Sequence, residues 1–241
     1  MPPTGSPKRN AVSSEELLRH GLDRLGLLLT PAQVEALELY LSELLRWVPR
    51  VNLTGLKSKE AIVREGFLRS LSYRAAFEPE PWVRAVDIGS GAGFPGLVLK
   101  ICYPEIDMLL VEAARRRATF LRHLIRRLGL ARVRCIHGRA EQLHADPEHR
   151  GRYHVAFARA VGGVARAASL AEPLLSPGGR LILQVGRHTA ESLQALRPRL
   201  AEFGLRAAIR EAPGIEAGAP PTRLLVAEKP SPRTLWPASS R

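Results

Sequence analysis

Residues Ala85 to Gly96 read AVDIGSGAGFPG: an apolar run carrying one carboxylate, Asp87, then glycines at 89, 91 and 93. Glycines at this spacing let a strand turn tightly into a helix and let backbone N–H groups approach a ligand where a Cβ would collide. Two ligand classes compete for such a cradle. Dinucleotide sites want G-x-G-x-x-G with a pyrophosphate on the helix N-terminus, whereas S-adenosylmethionine sites want an acid two residues before G-x-G-x-G, since the ligand's amino-acid moiety brings cations that need an anion nearby. Asp87 with Gly89, Gly91 and Gly93 matches the second pattern. Glu112 ends the next apolar run, 23 residues after Gly89, where a carboxylate can accept both ribose hydroxyls. Gly138, Arg139, Ala140 and Glu141 follow a third apolar run. Backbone amides and a carboxylate there can read an adenine edge, although Arg-Ala-Glu at a helix start also serves as a plain charged cap.

Positioning these groups requires strands that end at one edge of a sheet. From Pro81 onward short apolar runs alternate with helical patterns, which predicts parallel strands joined by crossover helices. Strands are expected at Val83 to Ile88, Met108 to Val111, Val133 to Ile136, His154 to Ala158 and Arg180 to Val185. Leu205 to Arg210 and Leu224 to Glu228 are joined by a Pro/Gly loop without a helix, so they should pair antiparallel at one edge. The expected fold class is thus α/β, Rossmann-like, with a seven-stranded sheet ending in an antiparallel hairpin. Residues 13–80 read as a helical extension in front of that 81–229 domain, with loose tails at 1–12 and 230–241. Ser13 with Glu16, and Thr30, Pro31 and Gln33, form two capping boxes. Val34, Leu37, Leu41, Leu44 and Leu45 make one apolar stripe, and a third helix fits Ser58 to Phe77.

The chain has 241 residues, 45% hydrophobic and 24% charged, which excludes a disordered, collagen-like or long coiled-coil protein. Its formal charge of +13 points to a polyanionic partner, and the same excess of arginine is what a GC-rich genome produces. Nine arginines and no acid fall between Ala113 and Ala140, where solvated helix faces normally mix signs. Arg115, Arg116, Arg122, Arg126 and Arg127 are the candidate contacts to an RNA backbone. Few aromatics interleave with them, so base reading by stacking is not evident in the pattern. Cys102 and Cys135 suit neither a disulfide framework nor a metal site, and no metal is expected. No run approaches the ~20 apolar residues of a membrane span, so a soluble cytoplasmic protein is expected, without a membrane partner.

Asn52-Leu53-Thr54, Asp87 to Gly96 with its Gly-Phe-Pro-Gly ending, Arg117 to Leu121 as R-x-x-F-L, Gly138 to Glu141, and Ala158-Arg159-Ala160-Val161 together resemble the glucose-inhibited division protein B family. That family is also called small-subunit ribosomal RNA methyltransferase G, and the resemblance spans roughly Leu44 to Lys229. It implies a class I S-adenosylmethionine-dependent enzyme that methylates N7 of a guanine in the 530 loop of 16S rRNA. Asp87, Gly89, Gly91, Gly93, Phe94, Glu112, Ala140 and Glu141 would line the cofactor site, and Arg159 would face both cofactor and target base as the catalytic residue. The chain departs from the family at Gly66 and Arg69, where relatives usually carry His and Asp. It departs again at Gln184, for a common Lys, and at Leu235-Trp236-Pro237 in the tail.

Methyl transfer to guanine N7 needs no general base, because the nitrogen carries a lone pair and no proton. The absence of a catalytic dyad is expected on that basis. Arg159 ends the fourth expected strand, at the carboxyl edge where open α/β sheets bind ligands. Its planar fork can hold guanine O6 or stack on the base; alternatively it is a surface arginine ending a strand. The expected partner is 16S rRNA, a small subunit or its precursor, with no DNA, and a monomer is expected. Two other readings stay open: a methyltransferase of a small molecule or protein, and a cofactor- or RNA-binding module without turnover.

Overall fold

The short apolar runs become seven strands in the computed structural model, which describes residues 13–159, 161–186 and 193–231. They are β1 (Arg84–Ile88), β2 (Asp107–Glu112), β3 (Val133–His137), β4 (Tyr153–Ala158), β5 (Leu175–Val185), β6 (Arg206–Ala212) and β7 (Thr222–Glu228). The order across the sheet is β3-β2-β1-β4-β5-β7-β6. β1 to β5 run parallel, and β7 is antiparallel to both β5 and β6, as expected for the terminal hairpin. The β5 strand starts five residues before its expected Arg180, because Leu175 already pairs with Tyr153 ahead of a register shift. The Ser176 hydroxyl donates to the Tyr153 carbonyl at 3.1 Å and anchors this early segment.

Crossover helices α5 (Gly96–Cys102), α6 (Arg115–Arg127), α7 (Val164–Ala171) and α8 (Leu193–Glu202) cover the sheet, after the N-terminal helices α1 (Ser14–Leu25) and α2 (Pro31–Trp47). Both capping boxes form as the sequence predicts: Ser13 with Glu16 starts α1, and Thr30 with Gln33 starts α2. Of the α2 stripe, Leu37 and Leu44 are fully buried while Val34, Leu41 and Leu45 are half-buried, and Tyr40 and Glu43 complete the buried face.

The helix expected over Ser58 to Phe77 is one helical path with changing pitch: α3 (Lys59–Ala61), a π-helical stretch at Ile62–Leu68, α4 (Arg69–Leu71) and a 3-10 turn at Ser72–Ala76. The Ser70 hydroxyl donates back to the Gly66 carbonyl, a bond that competes with the regular ladder. Gly66 itself lies against the Phe94 ring, where a Cβ would stand 2.6 Å from Cζ.

One apolar core joins the N-terminal helices, α5 and α6 to one face of the sheet, and a second lies under α7 and α8 on the other face. Because β1 to β4 are parallel, Asp87, Glu112, Gly138 and Arg159 all come to the carboxyl edge. Among the described residues no helix is long and apolar enough to cross a membrane.

Candidate active site

The turn after β1 is held from both sides. Gly89 and Ser90 N–H donate to the Val111 carbonyl on β2, at 2.8 and 3.1 Å, and Gly91 N–H donates to Glu112 Oε2 at 2.8 Å. All three glycines have positive φ, 69° at Gly89, 57° at Gly91 and 103° at Gly93. They differ in what their bare Cα permits. At Gly93 a Cβ would collide with the Tyr40 hydroxyl, whereas at Gly91 the nearest atom would be Gly89 O at 3.8 Å. Gly93 therefore serves packing, whereas a side chain begun at Gly91 would meet no atom closer than ordinary contact distance.

Asp87 is fully buried. Its Oδ2 accepts the Gly96 N–H at 2.9 Å, and Gly96 must be glycine because a Cβ would sit 2.6 Å from that same oxygen. Among the described residues, Oδ1 has no hydrogen-bond partner. Burial pushes the Asp87 carboxyl up to about 7, against the pull of the Gly96 amide, and the nearby Glu112 charge adds to the rise. A buried carboxylate with one unsatisfied oxygen is an arrangement that a cationic ligand group compensates. Glu112 is also buried, with Oε1 accepting the Ala114 N–H at 2.7 Å; its oxygens retain lone pairs for further donors. Phe94 is 6% exposed and stacks on Tyr40 at 5.7 Å, so in this structure its ring belongs to the core rather than to an open cleft.

Ala140 is buried at the head of a 3-10 turn (Ala140–Leu143) after β3. Glu141 is exposed, and its carboxylate pairs with Arg166 at 2.6 Å, so the side chain is engaged with α7 rather than with the glycine turn. Arg159 follows β4 and places its guanidinium 6.0 Å from the centre of the Phe94 ring. It also lines a cleft of about 320 Å³ together with Arg69, Gln184, Glu216, Thr222 and Arg223. Of the positions read from the sequence as departures from the family, Arg69 and Gln184 come together at this cleft and Gly66 lies against the neighbouring Phe94. Arg69 pairs with Glu65, and Arg64 pairs with Glu216 at 2.7 Å. Among the described residues, Arg159 has no ion-pair partner. Gln184 N–H donates to the Tyr73 hydroxyl at 3.1 Å. Ala160 and Leu235-Trp236-Pro237 lie outside the described residues.

Arg115, Arg116, Arg122, Arg126 and Arg127 are all exposed on α6. Two are partly committed: Arg122 donates to the Cys135 carbonyl at 3.2 Å, and Arg127 lies 3.6 Å from Glu43. Glu43 is itself 4% exposed and bonded to His123 at 2.8 Å, which ties α2 to α6.

Tyr40 is the residue that sequence reasoning missed. Its hydroxyl donates to the Ala92 carbonyl at 2.6 Å, so α2 holds the glycine turn directly. Its place three residues after Leu37 and four before Leu44 was the available signal for burial; nothing in the spacing signalled the hydrogen bond.

Residues 33–207 match the GidB family, described as rRNA small subunit methyltransferase G. The chain is 40% identical over 207 residues to the "Ribosomal RNA small subunit methyltransferase G" of Roseiflexus sp. (strain RS-1), covering 86% of this chain and 88% of that one. It is 38% identical over 192 residues to the protein of the same name from Chloroflexus aggregans, covering 80% of each. Among solved structures, a protein of Agrobacterium tumefaciens described as a predicted O-methyltransferase superposes with a TM-score of 0.51 at 19% identity. That superposition covers 68% of this chain and 81% of the other, a likeness of fold.

Proposed function

Because the chain belongs to the GidB family of small-subunit ribosomal RNA methyltransferases, we propose that it is an S-adenosylmethionine-dependent methyltransferase acting on 16S rRNA, with guanine N7 in the 530 loop as acceptor. The single observation that carries the reading is the carboxyl edge of β1 and β2. There a buried carboxylate has one oxygen unsatisfied beside an open glycine backbone and a second carboxylate. These groups fit the cofactor. Asp87 offers the anion for the amino-acid end, Glu112 offers acceptors for ribose hydroxyls, Gly91 leaves the turn bare while Gly89 makes room for Val161, and Ala140 supplies a buried backbone edge.

The bound cofactor supplies an electrophilic sulfonium methyl group. The protein's part is alignment, which in well-oriented reactions is worth up to ~7 to 11 kcal/mol. The Val111 carbonyl and the Glu112 carboxylate hold the turn on the β2 side, and Tyr40 holds it on the α2 side, so the cradle is formed before a ligand arrives. Arg159, on the neighbouring strand end, presents a guanidinium without an ion-pair partner among the described residues. Its fork matches guanine O6 and orients the base edge bearing N7. No proton leaves N7 on methylation, so no side chain is assigned as a base.

Mass mapping of 16S rRNA from a strain lacking the gene tests the reading. One guanine should lose a single methyl group and regain it on complementation. An unchanged 16S methylation pattern would leave a different acceptor, or binding without turnover.

A further inference from the structure

We propose that the cleft between the end of α2 and the start of α6 is a stacking subsite for one unpaired nucleotide of RNA, separate from the edge that holds the methylated base. The cleft measures about 300 Å³ and is lined by Trp47, Val51, Arg115, Arg116 and Thr119. α6 begins just after the carboxyl end of β2, so Arg115 and Arg116 start from the same edge of the sheet as the glycine turn.

Trp47 and Val51 give this cleft an apolar wall. The indole is half-buried and set edge-on to Phe120 at 5.5 Å and against His123 at 5.2 Å, which fixes it while leaving part of it exposed. Arg115 and Arg116 supply the charge. Both are exposed, and among the described residues neither guanidinium has an ion-pair or hydrogen-bond partner. Arg50, also exposed, stands one helical turn from Trp47. Arg115, Arg116 and Arg117 fill the first turn of α6 with cations and no acid, against the helix dipole, an unfavourable placement that an incoming phosphate relieves. A fixed aromatic wall beside unpaired guanidinium groups is the chemistry that holds single-stranded nucleic acid: the ring takes a base face, the cations take the adjoining phosphates. The composition showed few aromatics among the arginines, and the stacking partner comes from a different helix, 68 residues before Arg115.

The subsite rests on the reading of the protein as an RNA methyltransferase, and the test keeps the two apart. The probes are a ten-nucleotide oligoadenylate and an abasic ribose-phosphate strand of equal length, bound to the full-length protein. Trp47→Leu should weaken oligoadenylate about tenfold or more, the scale of one lost stacking contact, and leave the abasic strand unaffected. Cofactor affinity and the melting curve report folding. If Trp47→Leu fails to fold, Thr119→Ile, which crowds the cleft from an exposed position, decides by the same comparison. The double variant Arg115→Gln, Arg116→Gln should lower the log–log salt slope by about 1.4, from roughly 0.7 per phosphate on a single strand. Equal losses for both probes, or none for oligoadenylate, would overturn the subsite while methyl transfer to 16S rRNA stands. Failure of the wild type to methylate 16S rRNA would instead remove the methyltransferase reading and leave the stacking result to be judged on its own.

Discussion

The two halves of the carboxyl edge are built differently. Around β1 and β2, the turn is held largely through its own backbone. Gly91 N–H is held by Glu112, Gly89 N–H by Val111, and Gly96 N–H by Asp87, and all three contacts are 2.8 to 2.9 Å long. Around β4 and β5 the surface consists of long, partly exposed side chains, Arg69, Arg159, Gln184 and Arg223, lining an open cleft. A backbone cradle tolerates few changes, since glycine is required wherever a Cβ would meet Asp87 or Tyr40. A side-chain surface can be altered one residue at a time without disturbing the fold. Gly66, Arg69 and Gln184, read from the sequence as departures from the family, fall on or beside the second half, while the Leu235-Trp236-Pro237 departure lies outside the described residues.

This division predicts unequal effects on cofactor binding. The largest belongs to Gly91→Val. The backbone there has φ 57° and space beyond the Cα, so the added isopropyl group enters the open side of the turn in a conformation that L residues adopt at a cost of ~1–2 kcal/mol. Calorimetry should show S-adenosylmethionine affinity reduced on the order of 10² to 10³-fold, in a protein whose melting temperature falls by only a few degrees. A folded variant with native affinity would dissolve the distinction between the halves.

The next effect is a pH dependence. Asp87 in the folded protein titrates at about 7, above the ordinary carboxylate value of 3.8 that applies to the unfolded chain. The native state therefore keeps a proton that the unfolded state has lost between those two pH values. Stability falls as pH rises through that window, by at most about 1.4 kcal/mol per unit. Asp87→Asn should flatten that slope in chemical denaturation. Cofactor affinity of the wild type should rise up to tenfold per unit below pH 7 as the carboxylate ionises, and the variant should lack the rise. Parallel slopes in the two proteins would deny Asp87 its role as the buried anion.

How much of this was legible in the sequence follows the same division. The seven strands, the antiparallel last hairpin and both capping boxes could be read because each is written in local spacing: apolar runs, a Pro/Gly loop, Ser13 with Glu16. That Asp87, the glycines and Glu112 meet at one turn could be read because tight backbone geometry restricts residue choice. What stayed hidden was set by tertiary contact. Glu141 finds Arg166, 25 residues further on; Tyr40 reaches the Ala92 carbonyl from another helix; Phe94 sits on Gly66 instead of facing open space. The change of pitch at Ile62–Leu68 coincides with that last contact and with the Ser70 back-bond, neither of which helical periodicity encodes.

The smallest effect on cofactor affinity belongs to Arg159→Ala, and it tests the central claim most directly, because one variant must leave one half intact and disable the other. Its S-adenosylmethionine dissociation constant should stay within a few-fold of wild type. Under single-turnover conditions, with saturating small-subunit rRNA lacking the methyl group, its transfer rate should fall by ~10²-fold, the scale of losing one positioning or charge-stabilising group. Single turnover matters because slow product release would otherwise mask a defect in the transfer step. Wild-type transfer by Arg159→Ala would make Arg159 a surface residue ending β4 and would contradict the placement of the target base at this edge.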